Sequence, residues 1–481
     1  MGHQLNQPSA AYSPVMQQLD PTPDPLELLS RFAALPRAVF LDGASDHPGL
    51  GRYSYLSADP VYSLDLPARE WPEARERLRA TTRSSPSHNS QLPPFQGGWM
   101  GYLGYELGTA LDRMPRAERE GSGLPDIALS LYDWVIAWDH VSGSAWLIST
   151  GIDADGIPDA KRAQARAAQV VEWLRAERVP VRRPAHLAAA EPMSGHASQA
   201  FELSPPGLCS DFTPDDYRGA VARVIEAIRS GELFQANITQ RFTAPFRGDP
   251  LLLYRAMRRR AAAPMAAWIG HPRYQILSVS PELFLRFDPV TGTAESRPIK
   301  GTRPRSPAAE DDAALARALQ ESAKDRAENV MIVDLLRNDF ARVCVAGSVH
   351  VPALCRLESH AAVHHLVSQV NGTLRDDCDG VDLIEATFPG GSITGAPKLR
   401  ATELIARLEP VTRGVYCGAI GWIGCDGGVE FSIAIRTITL AGGVARIQAG
   451  GGITAQSDPD EEYRESLDKA RALVAAVAET A

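Results

Sequence analysis

The sequence predicts an α+β fold built on large antiparallel β-sheets. Three observations point there. The 481 residues, 44% of them hydrophobic, supply apolar material for a large core or two lobes. Short runs rich in β-branched and aromatic residues recur along the chain, bounded by Gly and Pro. Amphipathic helical patterns are mixed with these sequential strand patterns, and no short-period repeat is present.

Taken in order, residues 1–25 are dominated by Pro, Gln and Ser without periodicity and read as a disordered tail. Residues 26–178 form a first lobe. Ala38–Asp42 reads as a strand, with Gly51–Leu56 its neighbour across a turn, and Glu70–Arg83 as a charged helix. Glycines between the aromatics of Gly97–Gly108 suit a closely packed core strand and turn. Ile127–Trp138 and Ser144–Ser149 read as strands, and Ala160–Arg178 as an Ala-rich helix. From 179 to 211 Pro, Ala, Ser and Gly take over, which reads as a linker. Residues 212–481 form a second domain. Thr213-Pro214 is an N-cap with Pro at the first helical position, and Tyr217, Val221, Val224, Ile225 and Ile228 give that helix its apolar face. Strands follow at Leu233–Phe242, Ala267–Ile269 and Gln275–Val279, with a helix at Leu252–Arg260 between the first two.

Composition excludes several function classes. With 58 acidic and 49 basic residues the net charge is −9, so no global field favours nucleic acid or an anionic membrane. An anionic substrate needs a locally basic pocket. No stretch of about 18 apolar residues and no signal-peptide pattern occurs. The six cysteines form no CxxC pair, which fits a reducing cytoplasm.

The segment that organises the chemistry is Pro298-Ile299-Lys300-Gly301-Thr302-Arg303-Pro304-Arg305. Taken alone, Lys300 reads as a solvated turn charge. Its company changes that reading. Gly231–Phe242, Ser280–Phe284, the Lys300 octet, Glu328–Asp339, Phe388–Lys398 and Gln448–Ala470 resemble, in order, the motifs of the chorismate-utilising enzymes, which include anthranilate, aminodeoxychorismate, isochorismate and salicylate synthases. The resemblance is strong over 212–478 and weaker over 25–150. It implies the fold of that family, large antiparallel sheets packed as a sandwich with helices outside.

The resemblance also implies roles. The water-adding members have a general-base lysine where this chain has Gln235, and an amide cannot take a proton at neutral pH. Anthranilate synthases carry a small residue where Lys300 stands, and aminodeoxychorismate synthases carry Lys. The expected activity is therefore amination of chorismate to 4-amino-4-deoxychorismate, on the p-aminobenzoate and folate route. Lys300 is the expected nucleophile, its pKa lowered from about 10.4 by burial beside Arg297, Arg303 or Mg²⁺. Glu282, in Ser-Pro-Glu, matches the general acid for hydroxyl departure, and His365 the histidine beside the ring. Glu328 and Glu465, with Glu462 and Asp325 as outer partners, match ligands of Mg²⁺. Glu328 is expected on a helix after Ser306-Pro307 whose apolar face includes Leu315, Leu319, Ile332 and Leu336. Gln235, Thr302, Thr394, Tyr416, Lys469 and Arg436, the last on a strand Phe431–Ile438, match substrate contacts. Gly450, Gly451 and Gly452, read as a turn between strand and helix, would bring backbone amides to a carboxylate.

Two nucleotide readings fail on the residues themselves. Gly450–Ala455 fits GxGxxA, but too little chain follows for the strand and acidic residue of a dinucleotide site. Gly390–Lys398 lacks the GK[ST] of a P-loop. No Cys stands in a Gly-x-Cys-x-Gly elbow, so the resemblance implies ammonia supplied free or by a separate glutamine amidotransferase subunit. Anthranilate formation is the nearest alternative, and a binding protein without catalysis a more distant one.

Overall fold

The computed structural model describes residues 14–43, 49–83, 89–112, 114–176, 201–203, 207–360 and 363–481. Two antiparallel sheets, of 13 and 10 strands, carry the architecture. The larger runs from an edge at Val15–Leu19 to one at Phe201–Leu203. Near its middle Val39–Asp42 pairs with Met265–His271, followed by Tyr274–Ser280, Thr437–Ala441, Val444–Ile453 and Gln235–Pro245. The smaller has Ile299–Pro304 at one edge, beside Val363–Thr373, and Tyr62–Leu66 at the other.

The sheets face each other across an apolar layer that draws Tyr55, Val135 and Ile276 from the first and Tyr102, Tyr132 and Trp422 from the second. Helices cover the outer faces. Pro250–Arg260 and Pro459–Thr480 pack on the larger sheet, and Trp71–Arg83 and Ala323–Ala341 on the smaller. This is the expected sandwich with helices outside. Burial on two sides explains the near-continuous apolar runs of strands such as Trp134–Asp139, buried at all six positions.

Several boundaries differ from the sequence reading. The tail expected over 1–25 contains a strand, Val15–Leu19, which pairs with Ser144–Ser149, and Pro25 opens a helix capped by Asp24. Gln17 and Gln18 face out while Leu19 is buried, a pattern too short to register as periodic. Residues 1–13 of that tail, and 179–200 and 204–206 of the linker, lie outside the described residues, while Phe201–Leu203 and Leu208–Ser210 are short strands. The division at 178/212 does not separate the sheets, because both are built from both halves of the chain. Ile127–Trp138 is two strands, not one. Ile127–Tyr132 belongs to the smaller sheet and Trp134–Asp139 to the larger, and the chain crosses at Asp133, whose carboxylate accepts from Arg166 Nε at 3.0 Å. Unbroken burial on either side hid the crossing. The helix expected after Ser306-Pro307 is likewise two, Ala309–Glu321 and Ala323–Ala341, divided at Ser322, which caps the second.

Candidate active site

Four elements converge where the ends of both sheets meet the helices Ala323–Ala341 and Pro459–Thr480. Lys300 lies in the edge strand Ile299–Pro304, which pairs with Val363–Thr373 with a shift in register between Ile299 and Thr302. Gly301 sits at φ 81° in that irregularity. An extra residue on one strand is a bulge, and bulges re-aim side chains. Here the bulge turns Lys300 inward, where Nζ donates to Ser392 O at 2.8 Å. Burial lowers the Lys300 pKa from its ordinary value, the nearby Lys469 adds to that, and Glu328 and Glu282 oppose it. Arg297 and Arg303, expected to do this, are paired with Glu358 (2.6 Å) and Asp325 (3.2 Å), and so are largely neutralised.

Glu282, 4% exposed, is pushed up to about 7 by burial, against the pull of Ser392 and Lys300. An ordinary glutamate near 4.5 is almost wholly ionised at neutral pH, whereas this one is poised to hold or give a proton. Gln235 opens the Gln235–Pro245 strand at 1% exposure, and its Oε1 has no hydrogen-bond partner among the described residues. A buried, unsatisfied amide oxygen is uncommon and marks a place where a donor belongs.

The glycines lie inside the strand Val444–Ile453, not in the turn expected after it. Their absence of side chains lets the groups of the site approach the strand closely. A Cβ on Gly452 would stand 2.0 Å from Gln235 Nε2 and 3.4 Å from Lys300 Nζ, and one on Gly451 would stand 2.9 Å from Glu462 Oε2. At Gly450 it would meet Ile238 O of the paired strand at 2.0 Å.

Carboxylates face the same space from two helices. Glu462 is buried and accepts from Ser457 Oγ at 2.6 Å, with Lys324 Nζ at 3.4 Å. Glu465 pairs with Lys469 Nζ at 2.6 Å, which holds its carboxyl below the ordinary range. Glu328 is pushed up by burial, with Asp325 and Glu462 adding to the shift and Lys300 and Lys324 opposing it. Among the described residues no three His, Cys, Asp or Glu side chains are gathered closely enough to hold a metal ion by themselves. Mg²⁺ does not require that, since it takes one or two carboxylates, keeps waters and accepts ligands from a substrate. The all-oxygen donors Glu328, Glu462 and Glu465 fit such an open site.

His365 Nδ1 lies 2.9 Å from Thr302 Oγ1, its cross-strand partner. Burial, with His360 and Arg436 nearby, pushes the imidazole down to about 3, so it is neutral near pH 7. Arg436 is not on a strand. It turns the corner between Val429–Ile433 and Thr437–Ala441 at φ 53°, a conformation uncommon for a non-glycine residue, and Nη1 donates to Lys469 O at 2.9 Å. Lys469 Nζ also donates to Gly450 O at 2.9 Å. Tyr416 is buried close to Arg436, and burial raises its pKa well above the ordinary value, so the phenol is neutral. Thr394 is fully buried, and its hydroxyl donates to Gly390 O at 2.9 Å, so it shapes the 390–396 turn.

Sequence reasoning missed the supports. Ser392 holds Lys300 through its backbone carbonyl, which side-chain identity cannot reveal. Lys324 was legible, standing four residues before Glu328 on one helix face. Arg413 and Glu409 form a buried pair at 2.6 Å, with Arg413 also donating to Ile393 O and Asn237 O, which ties the 390–396 turn to the Gln235 strand. Lys398, which no motif explained, pairs with Asp339 at 2.7 Å and locks the Glu328 helix to the helix Lys398–Leu408. Asn329 Nδ2 donates to Leu366 O at 3.1 Å and fixes the Glu328 helix against the His365 strand.

Comparison with known proteins identifies the family. The chain is 39% identical over 455 residues to aminodeoxychorismate synthase component 1 of Salmonella typhimurium, covering 92% of this chain and 93% of that one. It is 37% identical over 465 residues to anthranilate synthase component 1 of Streptomyces coelicolor, covering 95% and 87%. Among solved structures, anthranilate synthase component I from Streptococcus pneumoniae TIGR4 superposes with a TM-score of 0.73 at 30% identity, over 89% of this chain and 93% of that one. Residues 42–475, which include the carboxylates, the glycine strand and the inward-turned lysine, match the family described as chorismate binding enzyme, and to that family the chain belongs.

Proposed function

We propose that the protein is the chorismate-aminating subunit of an aminodeoxychorismate synthase, forming 4-amino-4-deoxychorismate by way of a covalent adduct on Lys300. The observation that carries this reading is the Lys300 amine itself, turned inward by a bulge, depressed in pKa and placed beside Glu282. Similarity alone does not choose, because relatives named for either amination product share similar identity with the chain.

The neutral Nζ attacks ring carbon 2 of chorismate and forms a C–N bond. Both ring double bonds shift, and the C4–O bond breaks as Glu282 gives its proton to the departing hydroxyl, which leaves as water. The adduct nitrogen sheds a proton to the Glu282 carboxylate so formed. Ammonia then attacks carbon 4, both double bonds return, and the Lys300 nitrogen leaves as the amine, taking that proton back. Neutral His365 and Thr302 line the ring, and Arg436, Tyr416 and Lys469 supply positive charge and hydrogen bonds for the carboxylates. Gly450–Gly452 leave room for the substrate against bare backbone. Mg²⁺ bound at Glu328 and Glu465, with Glu462 behind them, would hold a substrate carboxylate and ease loss of the hydroxyl. Ammonia comes from solution or from a glutamine amidotransferase partner. Among the described residues no helix is long and apolar enough to cross a membrane, and a cytoplasmic location accords with six unpaired cysteines.

The test is the product formed from chorismate, Mg²⁺ and ammonium. A non-aromatic amine without released pyruvate is expected. An aromatic fluorescent product with pyruvate would assign the chain to anthranilate formation instead.

A further inference from the structure

Three carboxylates of the site, Glu328, Glu462 and Glu465, face three lysines, Lys300, Lys324 and Lys469. Glu462 Oε2, Glu465 Oε1 and Lys469 Nζ all stand within 3.6 Å of the point where a Cβ on Gly451 would lie. Glu328 feels Glu462 as a like charge and Lys300 and Lys324 as opposite ones. Carboxylates gathered in this way repel one another unless cations stand among them. When no metal is bound, the lysines must serve.

The three lysines are not held alike. Lys300 is turned inward and donates to Ser392 O at 2.8 Å. Lys469 is tied to the fold twice, through Glu465 at 2.6 Å and Gly450 O at 2.9 Å. Lys324 makes one hydrogen bond among the described residues, to Glu462 Oε1 at the long distance of 3.4 Å, and its side chain is 39% exposed. It stands in the first turn of Ala323–Ala341, where a cation opposes the helix dipole, so the helix gains nothing from it. What it faces is negative charge. Burial lowers its pKa, and Glu462, Glu328 and Glu465 together overcome that and raise it.

We propose that Lys324 is the counter-cation of the metal site when no metal is bound, and that Mg²⁺ displaces its ammonium group into solvent. This rests on the metal reading proposed above, in which Mg²⁺ binds at Glu328 and Glu465. Charge balance supports the exchange. Asp325 is already paired with Arg303 at 3.2 Å, so without metal three ammonium groups match three carboxylates. With the ion in place, its two charges and Lys469 match the same carboxylates only if Lys324 withdraws and Lys300 gives up its proton. A neutral Lys300 is what attack on the ring requires. Lys324 is free to withdraw because its one bond is long and its stem reaches solvent from the start of the helix. The ion must outcompete it, so Lys324 sets how much Mg²⁺ is needed to load the site. It is a positioning residue, acting through Glu462 and the neighbouring carboxylates.

The experiment is Mg²⁺ binding to the full chain by isothermal titration calorimetry without chorismate, in wild type, Lys324→Met and Lys324→Arg, beside crystal structures of wild type with and without MgCl₂. Lys324→Met is expected to bind Mg²⁺ at least roughly tenfold tighter than wild type, since one competing unit charge is gone, and Lys324→Arg, which keeps that charge, within about threefold of wild type. In the wild-type structures Nζ should lie on Glu462 without the ion and point into solvent with it. An unchanged or weaker Kd in Lys324→Met, or Nζ still on Glu462 beside bound Mg²⁺, would overturn the proposal and leave the metal reading intact. So would a raised KM for chorismate with the Kd for Mg²⁺ unmoved, which would make Lys324 a substrate contact. No Mg²⁺ bound by either wild type or Lys324→Met would overturn both. Should Lys324→Met not fold, the pair of wild-type structures decides.

Discussion

Replacing Glu282 by Gln tests the acid role without changing the shape of the site. Its carboxyl stands at about 7, against an ordinary value near 4.5. At pH 7 about half of it is protonated, where an unperturbed glutamate would be protonated roughly once in 300 molecules, so burial enriches the acid form roughly 150-fold. Positioned general acids contribute roughly 10²–10⁴ in rate, and Glu282→Gln is expected to lose kcat by that factor at pH 7 with KM little changed. The pH profile is the sharper readout. The competent state holds one proton on the Glu282–Lys300 pair, so wild-type kcat/KM should rise through about 7 and fall as the lysine pKa is passed. In Glu282→Gln only the lysine titrates, and the bell becomes a single ascending limb displaced to higher pH. A variant that kept the limb near 7 and a rate within a few-fold of wild type would refute the assignment. Stability supplies an independent sign. A carboxyl with a raised folded pKa contributes stability that is full below about 4.5 and is lost as pH rises through about 7. Glu282→Gln should therefore gain in Tm relative to wild type at pH 8 and not at pH 4.

Lys300→Ala should abolish the adduct seen by mass spectrometry of quenched enzyme and lower amination at least roughly 100-fold, by loss of the nucleophile. Full activity would refute covalent catalysis, and a slow residual rate would measure direct attack by ammonia. Gly452→Ala should fold but lose activity, since its Cβ would press on Gln235 Nε2 at 2.0 Å, while Gly219→Ala, with nothing within 4 Å on the helix Pro214–Arg229, should gain about 0.5–1 kcal/mol in urea titration. Glu328→Gln should raise the Mg²⁺ concentration needed for half-maximal turnover, with a Tm in metal-free buffer at pH 8 higher than that of wild type, because burial disfavours the charged carboxyl. Glu409→Ala leaves Arg413 charged and buried without its partner, and should cost about 3–5 kcal/mol by chemical denaturation.

What the sequence disclosed follows physical lines. Helix starts were legible because caps are local. Thr213 accepts from Asp216 N at 2.9 Å and Asp458 from Asp460 N at 3.0 Å, as an N-cap side chain should. Side chains of the site were legible wherever they lie in ordered motifs, and the structure brings Lys300, Glu282, Gln235, Glu328 and Lys469 into one space. Strand limits failed where burial is unbroken, as at Asp133, because hydrophobicity alone does not record a change of sheet. Backbone effects failed as well. The bulge at Lys300 and Gly301 depends on pairing with a strand more than sixty residues away, and Arg436 reads as an ordinary strand residue until the fold bends the chain at it.

That last failure bears on how the site works. Arg436 holds φ at 53°, Gly301 holds 81°, and each lies beside a group that the proposed chemistry requires in one orientation. Glycine adopts its conformation at 301 freely, and strand pairing on either side of the bulge selects it, whereas the Arg436 conformation is disfavoured for a residue with a side chain and is held from outside, through its bond to Lys469 O. Lys469 meanwhile pairs with Glu465 and donates to Gly450 O. The carboxylate-bearing helix, the glycine strand and the arginine corner are thereby one hydrogen-bonded unit. Loss of Lys469 should consequently disturb groups it does not touch. Lys469→Met removes a like charge near Lys300, which lets the nucleophile's pKa rise and moves the high-pH limb of the rate profile upward. It also frees Glu465 from its partner, so the carboxyl moves back up toward its ordinary value. A variant that lost only substrate affinity, with both limbs unmoved, would show Lys469 to be a substrate contact and nothing more.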